Sequence, residues 1–598
     1  MRCPGGLPRG VFYSKMSWPW SSGIVFVKMN IKNELAFLFP APKTISLQDR
    51  SLDIQNLCFP LEITKKYDFL FAYFAVKNKN RGLEISCQEK KALAAEEYVM
   101  ECDASRIVLW SNSQRGQFYA LSTLLQILAY HRPSGRMPGF FIKDSPAVPF
   151  RGFLLDVEHG AFPLPAELQR LLLRLALLKF NYFSLALGGW TGDEKAAGSG
   201  MQKAGMTQEE IGLTVALAGK MGIDMFPAIT VGAEVPGPGE FRTGVLAPFR
   251  SKLVHVRLGE KTDAEPAAAW FDRFRDTQRF FKAQGKTMLV WGDDFLKTPE
   301  LIRKIPQEVL VLNGDDEIEK TDGFRKKAGP FKKHNIPQVL GSATWGRARF
   351  VPAMRQSAAN NAAAFEAARE DKLAGVLLSH RGDEGDVSFL EGIILPLFQG
   401  GNLFWSGQAP RPEAFTRWAL GFNEPDLFRV YTFLSQVDSP LQHSHWQYLF
   451  EDPVFATFSR QDNVKEIVAR YRKASQYLKK RKIIRNEMSD FLNIAQHVYQ
   501  LVAGKVEFSS RLPSWLRLAG GEDPIQQELD RLLPECEKLK DLFCGLWLKR
   551  RQPYGLARKI REFDFLQERF QYILRSMAHP AARKKLLSEF EDYSPADR

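Results

Sequence analysis

Cysteine is scarce in this chain. There are six in 598 residues: Cys3, Cys58, Cys87, Cys102, Cys536 and Cys544. None forms a Cys-x-x-Cys pair, which argues against a zinc site. Cys536 and Cys544 would stand about 12 Å apart along a helix, too far to bridge. Scattered free thiols fit a reducing compartment. Long apolar runs are also missing, and no stretch has the length needed to span a bilayer. Ahead of residue 30 the only apolar run is Ile24–Val27, too short for a signal-peptide core. The Gly-, Pro- and Ser-bearing segment 1–29 is therefore expected to be a disordered leader, with Met16 and Met29 as alternative starts. The expected location is the cytoplasm.

Metal and phosphate signatures are absent as well. The acidic sets at 315–317 and 382–386 lack the alternation and terminal Glu of a calcium loop. The turn-rich GPGEFRTG at 237–244 matches no phosphate-binding motif. No metal and no cofactor are expected. Acidic residues are outnumbered, giving a formal net charge of +14 and a sequence pI near 9.3. The basic clusters at 478–485 and 548–555 fit no nucleic-acid-reading motif, and they read as solvated helical faces. Neither nucleic acid nor membrane is an expected partner.

What is present is an ordinary globular composition, 45% hydrophobic and 25% charged, on a chain too long for one core. Residues 30–148 mix short strand-like runs (LEISCQ, YVMECD, RIVLWS) with the amphipathic helix GQFYALSTLLQILAYHR, and predict an N-terminal α+β domain. Residues 409–598 carry apolar positions at three- and four-residue intervals and predict a helical C-terminal domain.

Between them, over 149–408, eight short apolar runs alternate with helical segments: GFLLDV, YFSLAL, IDMFPAI, LVHVRL, TMLVWGD, EVLVLNG, PQVLGSA and AGVLLSH. Eight such units over about 250 residues predict an α/β fold of the (β/α)₈ TIM-barrel type, ahead of a doubly wound open sheet. The runs end in polar or small residues, among them Asp156, Thr230, Glu260, Asp293, Asp315 and Arg381. In a barrel these ends gather at one rim, where active sites lie.

Several segments resemble the family-20 glycoside hydrolases, the β-N-acetylhexosaminidases. LFPAPKTISL at 38–47 is similar to the start of their N-terminal domain, and GQFYALSTLLQIL to the helix that closes it. RGFLLDV resembles their first barrel strand, TMLVWGDDFL and LGSATWGRARF their fifth and seventh strand regions. The stretch 542–570 resembles the helical C-terminal domain of one bacterial branch.

The resemblance implies a carbohydrate partner containing N-acetylhexosamine and a substrate-assisted reaction, in which the sugar's own acetamido oxygen attacks the anomeric carbon. A Glu protonates the leaving oxygen and an adjacent Asp orients the acetamide, both within a motif H-x-G-x-D-E. The matching segment here runs His255 to Glu260, which makes Glu260 the catalytic acid/base and puts Gly259 at the Asp position. The loop His of the family corresponds to Ala233, an aromatic to Gly314, and the T-x-W-G-D pattern to Ser379–Asp383, with Arg381 at the Trp.

Arg151 is the implied sugar-holding Arg, or otherwise the salt-bridge partner of a carboxylate such as Asp156. Asp293 and Asp383 are candidate sugar-binding residues, helix capping being the alternative for Asp293, and Asp294 reads as a helix cap. Trp291 and Trp345 are implied apolar walls, with core packing the alternative. His255 reads as a packed histidine. Three functions remain open: a hexosaminidase, a non-catalytic carbohydrate- or protein-binding descendant, and an enzyme in which Arg257 or Arg381 meets an acidic sugar.

Overall fold

The computed structural model describes residues 37–592 except 104, 159, 189–205, 232–245, 259–265, 348, 382–386, 410, 421–424, 438–444, 455–462, 482–487 and 519–521. The leader and the last six residues fall outside that set.

The chain first builds a six-stranded sheet from β1 (Thr44–Asp53), β2 (Leu57–Cys58), β3 (Leu83–Glu89), β4 (Tyr98–Cys102), β5 (Arg106–Ser111) and β6 (Arg136–Asp144), in the order β1-β6-β4-β5-β3-β2. Three of these match strand-like runs of the sequence. β6 hides in the turn-rich HRPSGRMPG, because Pro138 and Gly139 mask it. Pro138 is accommodated where the β1–β6 register is irregular, opposite Ser51, the kind of place a residue without an N–H can occupy. The helix Gln114–His131 packs on this sheet. It starts at Ser113, whose Oγ accepts from the Gly116 N–H, and from Phe118 to Ala129 every residue is buried.

Eight parallel strands follow and close on themselves: β7 (Phe150–Asp156), β8 (Tyr182–Gly188), β9 (Asp224–Val231), β10 (Leu253–Leu258), β11 (Thr287–Trp291), β12 (Leu310–Gly314), β13 (Gln338–Ala343) and β14 (Gly375–His380). β14 pairs with β7 to complete the barrel. Each predicted apolar run supplies one strand, as expected for strands buried on both faces. Alternate residues fill the barrel interior, with Leu154, Ala186, Ala228, Leu289, Leu312, Val339 and Leu377 in one apolar cluster. The others face the helices and join a larger core continuous with the flanking regions.

The N-terminal sheet docks against the strand-start end of the barrel through buried charge. Lys179 and Asp144, both 0% exposed, pair at 3.0 Å. Asp144 also accepts from the Tyr98 hydroxyl and the Trp405 indole. Beyond the barrel the chain is helical, with long helices at Val464–Lys480, Ser489–Arg517, Glu522–Arg550 and Leu556–Met577. Among the described residues no helix is long and apolar enough to cross a membrane, no group of His, Cys, Asp and Glu could hold a metal, and the five described cysteines are free.

Candidate active site

The C-terminal ends of the strands open onto a cavity of about 410 Å³, lined by Asp156, Val256, Arg257, Leu258, Trp270, Val290, Trp291, Asp293, Asp294, Lys297, Arg347 and Arg381. These residues are brought together from β7, β10 and β11, the helix Ala267–Ala283, the segment after β11, and the loops after β13 and β14. That is the mouth at which barrel enzymes build their sites.

Asp156 ends β7, is 5% exposed, and accepts the Glu158 N–H at 2.9 Å, a turn that aims the chain away from the strand. Glu158 pairs with Arg257 at 3.1 Å. On β10, Leu253 belongs to the interior cluster, so strand alternation turns His255 and Arg257 inward as well. His255 is buried with neither ring nitrogen hydrogen-bonded. Burial, reinforced by Arg257 and Arg381, pushes its pKa down to about 3, so it is a neutral imidazole beneath the cavity.

Trp291 ends β11 and stands 5.5 Å from His255. Its ring occupies the space over Gly314, where a Cβ would come within 2.6 Å of it. The Arg381 guanidinium lies over the Trp291 ring at 4.9 Å, so one face of this cavity-lining tryptophan carries a cation.

Asp293 opens a four-residue helix and pairs with Lys327 at 2.6 Å, while Asp294 pairs with Lys297 at 3.3 Å. Both line the cavity, and neither caps the helix, whose N-cap is Gly292 with no side-chain bond. Trp345 lies outside the cavity lining. It holds a left-handed backbone at φ 56°, and its indole nitrogen is buried without a partner.

Arg151 corrects the expectation drawn for it. It is the second residue of β7 and therefore lies at the opposite end of the barrel from Asp156. It is 1% exposed. Its Nε donates to the Lys179 carbonyl, one terminal nitrogen to the carbonyls of Val148 and Pro149, and the other to Glu96 at 2.7 Å and the Tyr119 hydroxyl. Its five donors are all used, so it is a structural ion-pair residue and no sugar reaches it. Burial raises the Glu96 pKa, but Arg151 and Arg115 outweigh burial and hold that carboxyl below its usual range. Position within the strand was the available signal, since early residues of a parallel strand face away from the rim.

Glu260 and Asp383, together with Gly259 and Ala233, lie outside the described residues. Lys297, Lys327 and Arg347 were not foreseen at this site. Lys327 belongs to the helix Thr321–Lys332 and reaches back over the rim, a contact that spacing along the chain does not encode.

A second, smaller cavity of about 30 Å³ lies between the barrel and the C-terminal helices, beside His380, Phe389 and Arg551. His380 bonds Thr344 Oγ1 at 2.8 Å through Nδ1. Burial, then Arg551, lowers its pKa to about 3. Gly346 lacks the side chain whose Cβ would come within 2.8 Å of this ring.

A similar fold is found in solved family-20 structures. Residues 37–145 match the model of "Glycosyl hydrolase family 20, domain 2". A β-hexosaminidase of Porphyromonas gingivalis is 26% identical over 239 residues, 33% of this chain and 30% of that protein. The chain spans about a third of the length of the curated relatives it matches. Among solved structures, the family-20 β-N-acetylhexosaminidase of Streptomyces coelicolor A3(2) superposes with TM-score 0.53 at 17% identity, over 65% of this chain and 97% of that one. The Flavobacterium johnsoniae chitobiase gives 0.52 at 15%, over 86% and 100%. At these identities the superpositions speak for the fold. The family-20 model thus covers residues 37–145, and beyond that segment the superpositions show a shared fold.

Proposed function

We propose that the protein is a β-N-acetylhexosaminidase-like glycoside hydrolase that removes terminal β-linked N-acetylhexosamine, with Glu260 as general acid/base. The observation that carries this reading is the rim cavity: it is walled by Val256, Arg257 and Leu258, and Glu260 follows two residues later in the chain. The substrate's acetamido oxygen attacks the anomeric carbon, the Glu260 carboxylic acid protonates the departing oxygen, and the resulting carboxylate then takes a proton from the water that opens the oxazoline. Asp293 and Asp294 line the same cavity and would accept from sugar hydroxyls. We also propose domain limits of 30–148, 149–408 and 409–598.

Gly259 supports a second reading, a family member that binds carbohydrate without turning it over. A glycine offers no side chain to the acetamide, and losing one group that stabilises developing charge costs about 2.7–4 kcal/mol, roughly a hundred- to thousandfold in rate. Chromogenic β-N-acetylglucosaminide and β-N-acetylgalactosaminide separate the two. Slow turnover abolished in E260Q and raised by G259D is the result expected of the hydrolase. No turnover in wild type or G259D, with sugar binding retained, leaves the binding protein.

A further inference from the structure

The outward face of the N-terminal sheet is more apolar than a solvated sheet face requires. Strands with one face on a core normally alternate apolar inward and polar outward. Here Tyr98, Met100, Ile107, Leu109 and Phe140 belong to the core, and the Tyr98 hydroxyl meets Lys179 at the barrel. Their strand neighbours Val99, Val108, Trp110 and Phe141 therefore point the other way, and none of the four belongs to either apolar core cluster. Val99 and Val108 are nonetheless only 5% and 6% exposed, and Trp110 and Phe141 are half-buried. A cavity of about 380 Å³ lies on this face, lined by Val108, Trp110 and Phe141 together with Gln48 of β1, Gln88 of β3 and Glu101 of β4. Its lining crosses the sheet in the order β1-β6-β4-β5-β3, a span of roughly 19 Å at the usual strand spacing. The volume is that of a small-ligand site, and the shape is long and shallow.

Two polar atoms on this face are buried without a partner: the Trp110 indole nitrogen and the Gln48 side-chain oxygen. The first is a donor and the second an acceptor, and each costs free energy while unmatched. A hydroxyl donates and accepts, so one kind of ligand group answers both, whereas a hydrocarbon answers neither. The charges here balance. Arg106 pairs with Asp103 at 3.0 Å, and the Glu101 carboxylate is offset by the exposed Lys90, which stands 5.6 Å over the Trp110 ring. A ligand stacking on that ring displaces a flexible side chain. Aromatic surface flanked by two amides, a carboxylate and an indole N–H matches a pyranose, which has an apolar C–H face and hydroxyl edges.

We propose that the outward face of the N-terminal sheet binds a neutral oligosaccharide, with a sugar ring stacked on Trp110 and hydroxyls bonded by Gln48, Gln88 and Glu101. The face is turned away from the barrel, so this site is separate from the rim cavity and does not rest on the hexosaminide reading.

The test is calorimetric titration of the full-length protein with cellotriose, maltotriose and tri-N-acetylchitotriose, the last in E260Q so that no turnover consumes it. At least one trisaccharide is expected to bind, with an affinity that holds as salt rises from about 50 to about 500 mM. W110A should weaken that binding about tenfold or more, the effect of truncating an aromatic anchor, and Q48A and W110F severalfold. The bound sugar should also slow amide exchange in β4 and β5, a measurement that needs no sheet variant and so decides the matter if W110A misfolds. Absence of binding by all three overturns the proposal, as does affinity unchanged in both W110A and Q48A. Protection confined to β10 and β11 overturns it too, while supporting a sugar site at the rim. A sulfated heparin oligosaccharide that binds more tightly than the neutral sugars, and loses that advantage with salt, overturns the neutral assignment. Self-association of the protein abolished by W110A, without sugar binding, gives the face to a second copy of the chain and overturns the proposal as well.

Discussion

Arg151 shows how a single side chain changes meaning with its place on a strand. Held at the closed end of the barrel, it joins Glu96 of the N-terminal sheet domain to the carbonyls of Val148, Pro149 and Lys179, with Trp405 against its guanidinium at 5.0 Å. Replacing it by methionine leaves three carbonyls and a mostly buried carboxylate short of donors. Breaking a buried pair from one side costs about 3–5 kcal/mol. R151M should therefore lower the unfolding free energy from urea titration by that order while leaving sugar affinity as in wild type. R151K, with three donors in place of five, should fall between. A variant that loses sugar binding with its melting temperature intact would restore the ligand role and remove the structural one.

At the scale of strands, the eight barrel runs were legible because a strand buried on both faces must be almost continuously apolar, and each run is bounded by polar or turn residues. β1 and β6 were not, since a bulge between Gln48 and Ser51 and the Pro138–Gly139 pair disturb their periodicity. The site was legible only in part for a related reason. Strand ends told which residues reach the rim, as with Asp156, Trp291, Asp293 and Arg381. They could not tell that Lys327 of a following helix pairs with Asp293, or that Trp291 lies beneath Arg381. The strands also carry a titration prediction. His255 on β10 and His380 ending β14 have folded pKa values near 3 against an ordinary 6.5. The unfolded chain takes up a proton at each near pH 6.5, and the folded chain takes none until about pH 3. Their stabilising effect is thus complete above 6.5 and is lost as pH falls through that window, at about 1.4 kcal/mol per pH unit for each. Urea midpoints between pH 7 and 5 should drop, and H255Q and H380Q should each flatten the slope by about that amount. Slopes equal to wild type in both variants would mean that these rings are solvated.

For the whole molecule, two arginines of the basic cluster at 548–555 turn inward, while Lys549 stays on the solvated face. Arg551 is 6% exposed and lies between Phe389 at 4.3 Å and Trp547 at 4.6 Å, with its terminal nitrogen donating to the Ser388 carbonyl. Arg550 pairs with Glu391 at 2.5 Å and Glu167 at 3.1 Å. The backbones join too: the Leu164 N–H donates to the Arg550 carbonyl and the Gln552 N–H to the Phe162 carbonyl, while Gly160 and Gly555 approach so closely that a Cβ on Gly555 would lie 2.9 Å from the Gly160 carbonyl oxygen. The C-terminal helices thereby grip the segment that leaves β7 just past Asp156 and Glu158, the loop that fixes Arg257 at the rim. Desolvated cation–π contacts are worth about 2 kcal/mol each, so R551A should lower the melting temperature and speed amide exchange at Leu164 and Gln552 ahead of the barrel strands. R551K, which keeps charge but not the planar stack, should recover little of it. If the loop depends on this grip, R551A should also weaken ligand binding at a cavity that Arg551 does not line. An exposed substitution such as R472A, brought to the same thermal margin by temperature, should leave both amides protected. Acceleration there equal to that in R551A would show general loosening of the fold and no specific bracing of the rim by the C-terminal helices.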